Sequence, residues 1–317
     1  MVAVAILALL ITAGGSAHAA PTSDPVEQTA ELIEAIAPRS SPLEVGSEAD
    51  GAIHFITETA VTTIPLSPEL PVTIEDADGL VAPFGIDLPA EVNVTSAQTA
   101  TDGTVVFPAV GRGVDVAVQT TTAGDVRLQT VIADPEAPHT FTYDFSDGIA
   151  PKLRDDGSAL LVSDDDGEVV MSRGEVAPPW AVDAAGRDVD TSYTVEGSKL
   201  IQMVRPGPGA TYPIVADPTV TVGTGIYVYF SQQETKSIAA SPITDRAHYV
   251  GILCGAIPNG PAAAACMAIT GDTIKSIANT FKSAAKNKQR VELKFLVVPM
   301  PPHATPMLTL VGWKPVA

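Results

Sequence analysis

The chain has 317 residues, enough for about two domains of ordinary size. Its hydrophobic fraction is 45% and only 17% of its residues are charged, which excludes the intrinsic disorder typical of weakly hydrophobic, highly charged chains. The formal net charge of −19 disfavours nucleic acid as the main partner, because the protein and the phosphate backbone repel each other.

The first twenty residues have the pattern of a secretory signal peptide. An apolar run covers residues 2–11, and Ala17-His18-Ala19 follows it as a cleavage site of the A-x-A type. A helix of this run would be about 15 Å long, half the thickness of a bilayer core, which argues against a transmembrane anchor. We expect residues 1–20 to be removed and the protein to be secreted.

Residues 21–45 are predicted to hold one short helix. Asp24-Pro25 is a typical helix start, and apolar residues recur at helical spacing from Val26 to Ala37. Prolines and serines at 38–42 then end the helix. Three interpretations stay open: a surface tether, a pro-segment, or a helix docked on the following domain.

From residue 46 to residue 217 the pattern predicts β-strands throughout. Short runs rich in β-branched residues, such as 114–118 and 126–131, alternate in polarity. Dipeptides that suit hairpin turns separate such runs, at Asp102-Gly103, Gly124-Asp125, Asp156-Gly157 and Asp166-Gly167. We predict a mostly β domain, an antiparallel sandwich or a curled sheet.

The charge of the chain changes sign at one place. Residues 1–217 hold 9 basic and 33 acidic side chains, whereas residues 218–317 hold 9 basic and 4 acidic ones. The net charge is therefore −24 before the junction Asp217-Pro218 and +5 after it. A reversal of this size predicts an acidic domain over 46–217 and a cationic domain over 218–317, which have different partners or are each other's partner.

The cationic segment is predicted to be a small α+β domain with a helical hairpin. Ser231 and Glu234 have the spacing of a capping box, which predicts a helix over 232–240. A second helix is expected to end near Leu253, and a longer one to run over 261–286, followed by strands over 291–298 and 307–313. The 25 residues 247–271 contain no Lys, Arg, Asp or Glu. We interpret them as a buried hairpin in preference to one that enters a membrane, because proline and glycine cut the run into pieces too short to span a bilayer.

Cys254 and Cys266 are the two cysteines of the chain. In an oxidising compartment such a pair is expected to form a disulfide that clips two helices together. Once bonded to each other, these cysteines could not act as nucleophiles.

Motifs for catalysis or metal binding are absent from the sequence. The histidines are scattered, and no nucleophile elbow, phosphate-binding loop or dinucleotide fingerprint occurs. We expect no cofactor. A weak calcium candidate is the set of acidic turn residues Asp155, Asp156, Asp164, Asp165 and Asp166. Its spacing departs from the calcium-loop pattern, and solvated hairpin turns explain these residues better.

Four phrases resemble a known group of proteins. They are Tyr143-Asp144-Phe145, Asp156-Gly157-Ser158, Pro179-Trp180-Ala181-Val182-Asp183-Ala184-Ala185-Gly186 and Tyr212-Pro213-Ile214-Val215-Ala216-Asp217-Pro218-Thr219. They resemble the β-rich domain of uncharacterised secreted proteins of high-GC Gram-positive bacteria, whose closing Y-P-x-x-x-D-P-T phrase leads into variable C-terminal modules. The resemblance implies a secreted, bacterial, two-domain protein and no particular activity.

Five basic residues form the candidate contact site, namely Lys275, Lys282, Lys286, Lys288 and Arg290. Long-range attraction would bring them to an anionic envelope component or a protein partner, with membrane contact but no spanning segment. An ordinary solvated lysine face explains the same pattern equally well. The leading hypothesis is thus an exported non-enzymatic interaction module. The alternatives are a membrane-active or antibacterial effector with the cationic domain as its active part, and a hydrolase with an unrecognised carboxylate site.

Overall fold

The computed structural model describes residues 24–38, 40–77, 79, 82–111, 113–146, 148–163, 172–223, 225–242, 246–257, 260–269, 271–298 and 307–316. The expected signal peptide and the Asp166-Gly167 turn lie outside these residues. The described chain is mostly β, with antiparallel sheets and a group of helices near the C-terminus. The predicted fold class, a β-rich part followed by a small α+β part, is confirmed.

Helix α1 (Pro25–Ile36) begins where the sequence predicts it. Asp24 is the N-cap, and its side chain accepts a hydrogen bond from the backbone N–H of Val26. Val26, Ala30 and Ile33 are buried against the large β-sheet, so the helix is docked on the β-rich part along its apolar stripe.

The described strands between residue 46 and residue 223 form three sheets. The first is a five-stranded meander of β1 (Ser47–Ala49), β2 (Ala52–Ile56), β3 (Ala60–Pro65), β4 (Val72–Asp76) and β5 (Phe84–Ile86). The second has ten strands: β6 (Gln98–Thr99), β7 (Val105–Phe107), β8 (Val114–Thr120), β9 (Val126–Ile132), β11 (Ile149–Leu153), β12 (Ala159–Ser163), β13 (Ser172–Val176), β14 (Ala181–Asp183), β17 (Ile214–Ala216) and β18 (Thr219–Val222). The third consists of β10 (Thr140–Asp144), β16 (Lys199–Arg205) and β15 (Asp190–Glu196), in that order. Apolar residues from all three sheets form one buried core.

Two predicted turns show why glycine is needed there. Gly103 and Gly124 have φ angles of +93° and +87°, in the left-handed region that glycine adopts without strain. A Cβ atom on Gly124 would lie 2.0 Å from Oγ1 of Thr59, so a side chain at this position would displace Thr59.

The C-terminal part is a three-stranded sheet covered by helices. The sheet contains β19 (Gly225–Phe230), β20 (Arg290–Val298) and β21 (Met307–Val316), with β20 in the middle. In the part of the chain that the structure describes, four helices lie between β19 and β20: α2 (Gln232–Ala240), α3 (Arg246–Gly255), α4 (Gly260–Met267) and α5 (Gly271–Lys286). The predicted capping box of Ser231 and Glu234 is confirmed, and α2 has the predicted bounds.

The single long helix predicted over 261–286 is wrong, because the structure has two helices there. α4 ends at Met267 and α5 begins at Gly271. After α4, the N–H groups of Ala268 and Ile269 bond to carbonyls three residues back, which tightens the last turn. Glycine also has a low helix propensity, so Gly271 favours an end of a helix over its interior.

The predicted disulfide between Cys254 and Cys266 is confirmed and joins α3 to α4, with the two Cα atoms 5.5 Å apart. Tyr249 and Leu253 of α3 are buried in the C-terminal core, as the buried-hairpin interpretation requires. Within the described ranges, no helix combines the length and apolarity needed to cross a membrane.

The chain passes from one set of sheets to the other after Val222. Strand β18 follows the predicted junction Asp217-Pro218 but pairs with β9 and β13 of the ten-stranded sheet. Charge could not locate this strand, since its sequence Thr-Val-Thr-Val carries none. The main buried cores before and after Val222 share no residue. Independent folding of 46–217 and 218–317 stays a prediction.

Candidate functional site

The outer face of the C-terminal sheet carries charged and aromatic side chains. Along β20, Val291, Leu293 and Phe295 are buried in the core with the helices. Because side chains alternate across a strand, Arg290, Glu292 and Lys294 lie on the opposite face. Tyr227 and Tyr229 of β19 and Lys314 of β21 interact with these residues on the same face.

Apolar contacts join this face to the ten-stranded sheet. Leu160 and Val162 of β12 form a buried cluster with Tyr227 and Tyr229, and Val316 packs against its side. Residues Ala159 and Leu161, which alternate with them along β12, belong instead to the main β core. Strand β12 is therefore buried on both faces.

A buried ionic network lies at the same junction. Nη2 of Arg154 donates to both carboxylate oxygens of Glu292, at 2.9 and 3.2 Å, and Nη1 donates to Glu175 at 3.3 Å. The hydroxyls of Tyr229 and Tyr227 donate to Glu292 and Glu175, respectively. The Glu292 side chain is only 5% exposed. Arg154 belongs to the half of the chain with a negative net charge, and Glu292 belongs to the half with a positive net charge. Each residue thus has the charge opposite to that of its own half.

The environment keeps the Tyr229 hydroxyl protonated. Burial, followed by the negative charge of Glu292, raises the pKa of Tyr229 well above its ordinary value. Tyr229 therefore serves as a hydrogen-bond donor to Glu292 throughout the physiological range.

A cleft with a volume of about 270 Å³ lies beside this network. Its basic residues are Lys152, Arg154, Arg290 and Lys314, its acidic residues are Asp155 and Asp156, and its apolar and aromatic residues are Leu153, Leu160, Val162, Tyr229, Pro315 and Val316. Two parts of the chain, 152–162 and 290–316, thus contribute basic groups to one small space.

Some charged side chains of the cleft form ion pairs or hydrogen bonds with protein groups, and others have no partner of opposite charge among the described residues. Arg154 is held by two glutamates, and Nζ of Lys314 lies 3.7 Å from Glu292. Asp156 accepts two hydrogen bonds from Ser158, chiefly from its hydroxyl, and these lower the pKa of Asp156. In contrast, Lys152 and Arg290 have no carboxylate oxygen within 4 Å among the described residues.

Four of the five basic residues predicted as a contact site lie outside the cleft, and only Arg290 lines it. Lys275, Lys282 and Lys286 fall within about 40° of arc on α5, because each residue advances a helix by about 100°. They and Lys288, in the turn that follows, are exposed. Lys275 pairs with Asp272 at 3.5 Å, whereas the other three have no carboxylate partner in the part of the chain that the structure describes.

The calcium candidate is described only in part. Asp155 and Asp156 line the cleft, and Asp164, Asp165 and Asp166 lie outside the described residues. Within the described ranges, no three acidic, histidine or cysteine side chains are grouped as metal ligands would be.

Three of the four phrases behind the family resemblance contribute buried residues around β10, β14 and β17, whereas the fourth, Asp156-Gly157-Ser158, contributes Asp156 to the cleft. Asp217 accepts a hydrogen bond from the backbone N–H of Trp180 at 3.0 Å, and Tyr143 is fully buried. Asp183 accepts hydrogen bonds from Arg187 and Thr211, and the bonds from the Arg187 side chain are the main reason that its pKa is lowered. Tyr143, Asp183 and Asp217 therefore hold strands and loops together, and none of these three lines the cleft.

The chain matched no family model, no curated protein and no solved structure.

Sequence reasoning missed Lys152, Arg154 and Lys314 as members of a site. One signal was readable, because the alternation of Arg290, Glu292 and Lys294 with apolar residues places them on one face of a strand. No sequence pattern shows that β11 and β12 cover that face.

Proposed function

We propose that this protein is exported and acts as a non-enzymatic interaction module, which binds an anionic polymer of the cell envelope through the lysines of α5 and the turn that follows it. The observation that carries the proposal is the exposure of Lys282, Lys286 and Lys288 without a carboxylate partner in the described structure. Free lysines are notable here, since the chain holds 37 acidic and only 18 basic residues. The signal-like N-terminus and the disulfide support export.

The burial of the apolar face of α5 favours a polymer over a bilayer. A membrane-active helix inserts apolar side chains below the headgroups. Ile274, Ile277 and Phe281 are instead buried in the core of the protein. The contact that remains is electrostatic, which suits a hydrated polyanion and weakens the effector hypothesis.

The environment of the two carboxylates at the junction, Glu175 and Glu292, argues against the hydrolase hypothesis for this pair. Glu175 and Glu292 are the acidic pair of the junction, and Arg154 bonds to both. Tyrosine hydroxyls donate to the same carboxylates. A carboxylate that is held by both an arginine and a tyrosine hydroxyl suits a structural joint better than a proton-transfer site.

Binding of fluorescent poly(glycerol phosphate) to residues 21–317, followed by anisotropy, tests the proposal. We expect binding at about 20 mM salt that weakens steeply towards about 200 mM, because surface charges are screened. The variant K282Q/K286Q should bind at least about tenfold more weakly, since it loses two of the contacting charges. The control K199Q/R205Q removes the same charge from strand β16 and should change affinity less than about twofold.

Two results would contradict the proposal. Equal losses in the two variants would mean that only net charge matters, and absence of binding at low salt would remove the polymer as partner. Binding to vesicles of phosphatidylglycerol and phosphatidylcholine without binding to the polymer would replace it with the membrane hypothesis.

A further inference from the structure

We infer that the cleft between β12 and β21 is a separate binding site for a compact amphiphilic anion, a carboxylate or phosphate joined to a short apolar chain. This site does not depend on the polymer contact of α5, because only Arg290 among the predicted contact residues lines it. It goes beyond the proposed function by adding a small-molecule ligand.

The apolar residues of the cleft could contact the apolar chain of a ligand. Leu160 and Val162 are 2% and 1% exposed and form the packed floor beneath the cleft. Leu153, at the end of β11, is 44% exposed and is one of the few large apolar side chains of the described chain left open to solvent. A ligand with an apolar body would cover Leu153, which is favourable because apolar area leaves water.

The charges of the cleft select an anion. No described carboxylate neutralises Lys152 or Arg290, because neither has a carboxylate oxygen within 4 Å among the described residues. The guanidinium of Arg290 lies 5.6 Å from the centre of the Tyr229 ring, a cation–π contact that positions it without neutralising it. The cleft also contains two carboxylates. Asp156 accepts a hydrogen bond from the hydroxyl of Ser158, and Asp155 is exposed in the turn between β11 and β12.

The size of the cleft limits the ligand. A volume of about 270 Å³ corresponds to roughly nine water-sized groups of about 30 Å³ each. An eight-carbon carboxylate is of this size. A whole two-chain lipid is larger than this volume.

Calorimetric titration of residues 21–317 with octanoate, octyl phosphate, octanol and octylammonium tests the inference. We expect both anions to bind, and the alcohol and the cation to bind at least about tenfold more weakly, because the charge of the head group provides the selectivity. Equal affinity for octanol would overturn the inference, as would a preference for octylammonium or the absence of heat with every compound.

Two single variants locate the site. R290Q should weaken octanoate binding at least about tenfold by removing the charge, and L153D should do so by placing a carboxylate in the apolar wall. Leu153 is half exposed at a strand end, so L153D should unfold at nearly the wild-type temperature. The control K199Q also removes one positive charge and should bind octanoate as the wild type does. Unchanged affinity in R290Q and L153D would overturn the inference.

Two further experiments distinguish a free small molecule from a membrane lipid as the ligand, and distinguish the cleft from the polymer-binding lysines of α5. Vesicles of phosphatidylglycerol and phosphatidylcholine should not displace octanoate if the ligand is a free small molecule, and displacement would contradict the free-ligand assignment. K282Q/K286Q should retain octanoate binding. Loss of octanoate binding in that variant would place the site on α5 and overturn the assignment to the cleft, whereas loss of polymer binding alone would leave it standing.

Discussion

Asp217 is a fully buried carboxyl group whose hydrogen bonds are incomplete. Its Oδ1 accepts from the backbone N–H of Trp180 at 3.0 Å and from the hydroxyl of Tyr193 at 3.3 Å. Its Oδ2 has no hydrogen-bond partner in the described structure. Burial raises the pKa of Asp217 to about 7, since the charged form loses its hydration. The neutral acid is therefore the native form over much of the range in which an unfolded chain would ionise it.

We expect Asp217→Asn to change the pH dependence of stability. Because the folded pKa is raised, the stabilisation from the neutral carboxyl is complete below pH 4, falls as pH rises from about 4 to 7, and is absent above that. This loss amounts to roughly 4 kcal/mol. The free energy of unfolding of Asp217→Asn, from urea titrations at several pH values, should fall much less than that of the wild type between pH 4 and 7.

A charge-matched control makes this result specific. Glu58→Gln removes an exposed carboxyl group and should follow the wild-type pH dependence. Parallel curves for Asp217→Asn and the wild type between pH 4 and 7 would contradict the prediction, because they would mean that Asp217 ionises at the same pH in the folded and the unfolded chain.

At the scale of elements, the disulfide is the covalent tie between α3 and α4. Cys254 and Cys266 are 1% and 0% exposed and belong to the C-terminal core. The break between α4 and α5 leaves α4 a short helix of eight residues, which would be marginal by itself. We conclude that α4 depends on the disulfide and on packing more than on its own propensity.

Replacing both cysteines by alanine should destabilise the C-terminal part. The bond closes a loop of 13 residues, and removing such a constraint costs about 3 kcal/mol in the chain-entropy description. The unfolding of C254A/C266A, followed by circular dichroism during heating, should begin at a lower temperature than that of the wild type.

Reduction provides the matching control. The wild type in reducing agent should resemble C254A/C266A, and reducing agent should leave the double variant unchanged. If the double variant were as stable as the oxidised wild type, the helices would be held by apolar packing alone.

At the scale of the whole molecule, the junction combines a buried ion pair with apolar packing. Arg154 and Glu292 are mostly buried, so salt screens them much less than it screens surface pairs. Leu160, Val162 and the two tyrosines of β19 add contacts that salt does not weaken. We therefore expect the two halves of the chain to stay docked at high ionic strength, although their net charges are opposite.

Breaking one side of the ion pair should uncouple the two halves. Glu292→Met leaves Arg154 without its closest carboxylate, and a stranded buried charge of this kind costs about 3–5 kcal/mol. Calorimetry should show that the single transition expected for the wild type is shifted down or divided into two. The double variant R154M/E292M should be much less destabilised, because it leaves neither ion without the other.

The single variant Arg154→Met completes the comparison. If the losses of stability in Arg154→Met and Glu292→Met added up to the loss in the double variant, Arg154 and Glu292 would not interact and this account would be contradicted. A wild-type transition that divides into two as salt is raised would show instead that surface attraction holds the halves together.

Local sequence patterns determined the elements of this protein. The capping box predicted α2 because Ser231 and Glu234 satisfy backbone groups within one turn, and Asp-Gly turns and alternating strands were readable for the same local reason. The helix break before Gly271 escaped prediction, since the apolar stripe of Ile269, Ile277 and Phe281 continues across it and periodicity alone does not register an interruption.

The junction and its cleft were decided only by the tertiary structure. Arg154 and Glu292 are 138 residues apart, and no pattern along the chain records that β12 packs against β19. Net charge pointed to a surface attraction between two halves, but long-range charge has no directional preference and cannot identify which side chains meet. The ion pair that is buried between the two halves joins a base of the acidic half, Arg154, to an acid of the cationic half, Glu292. The basic cleft lies beside this pair.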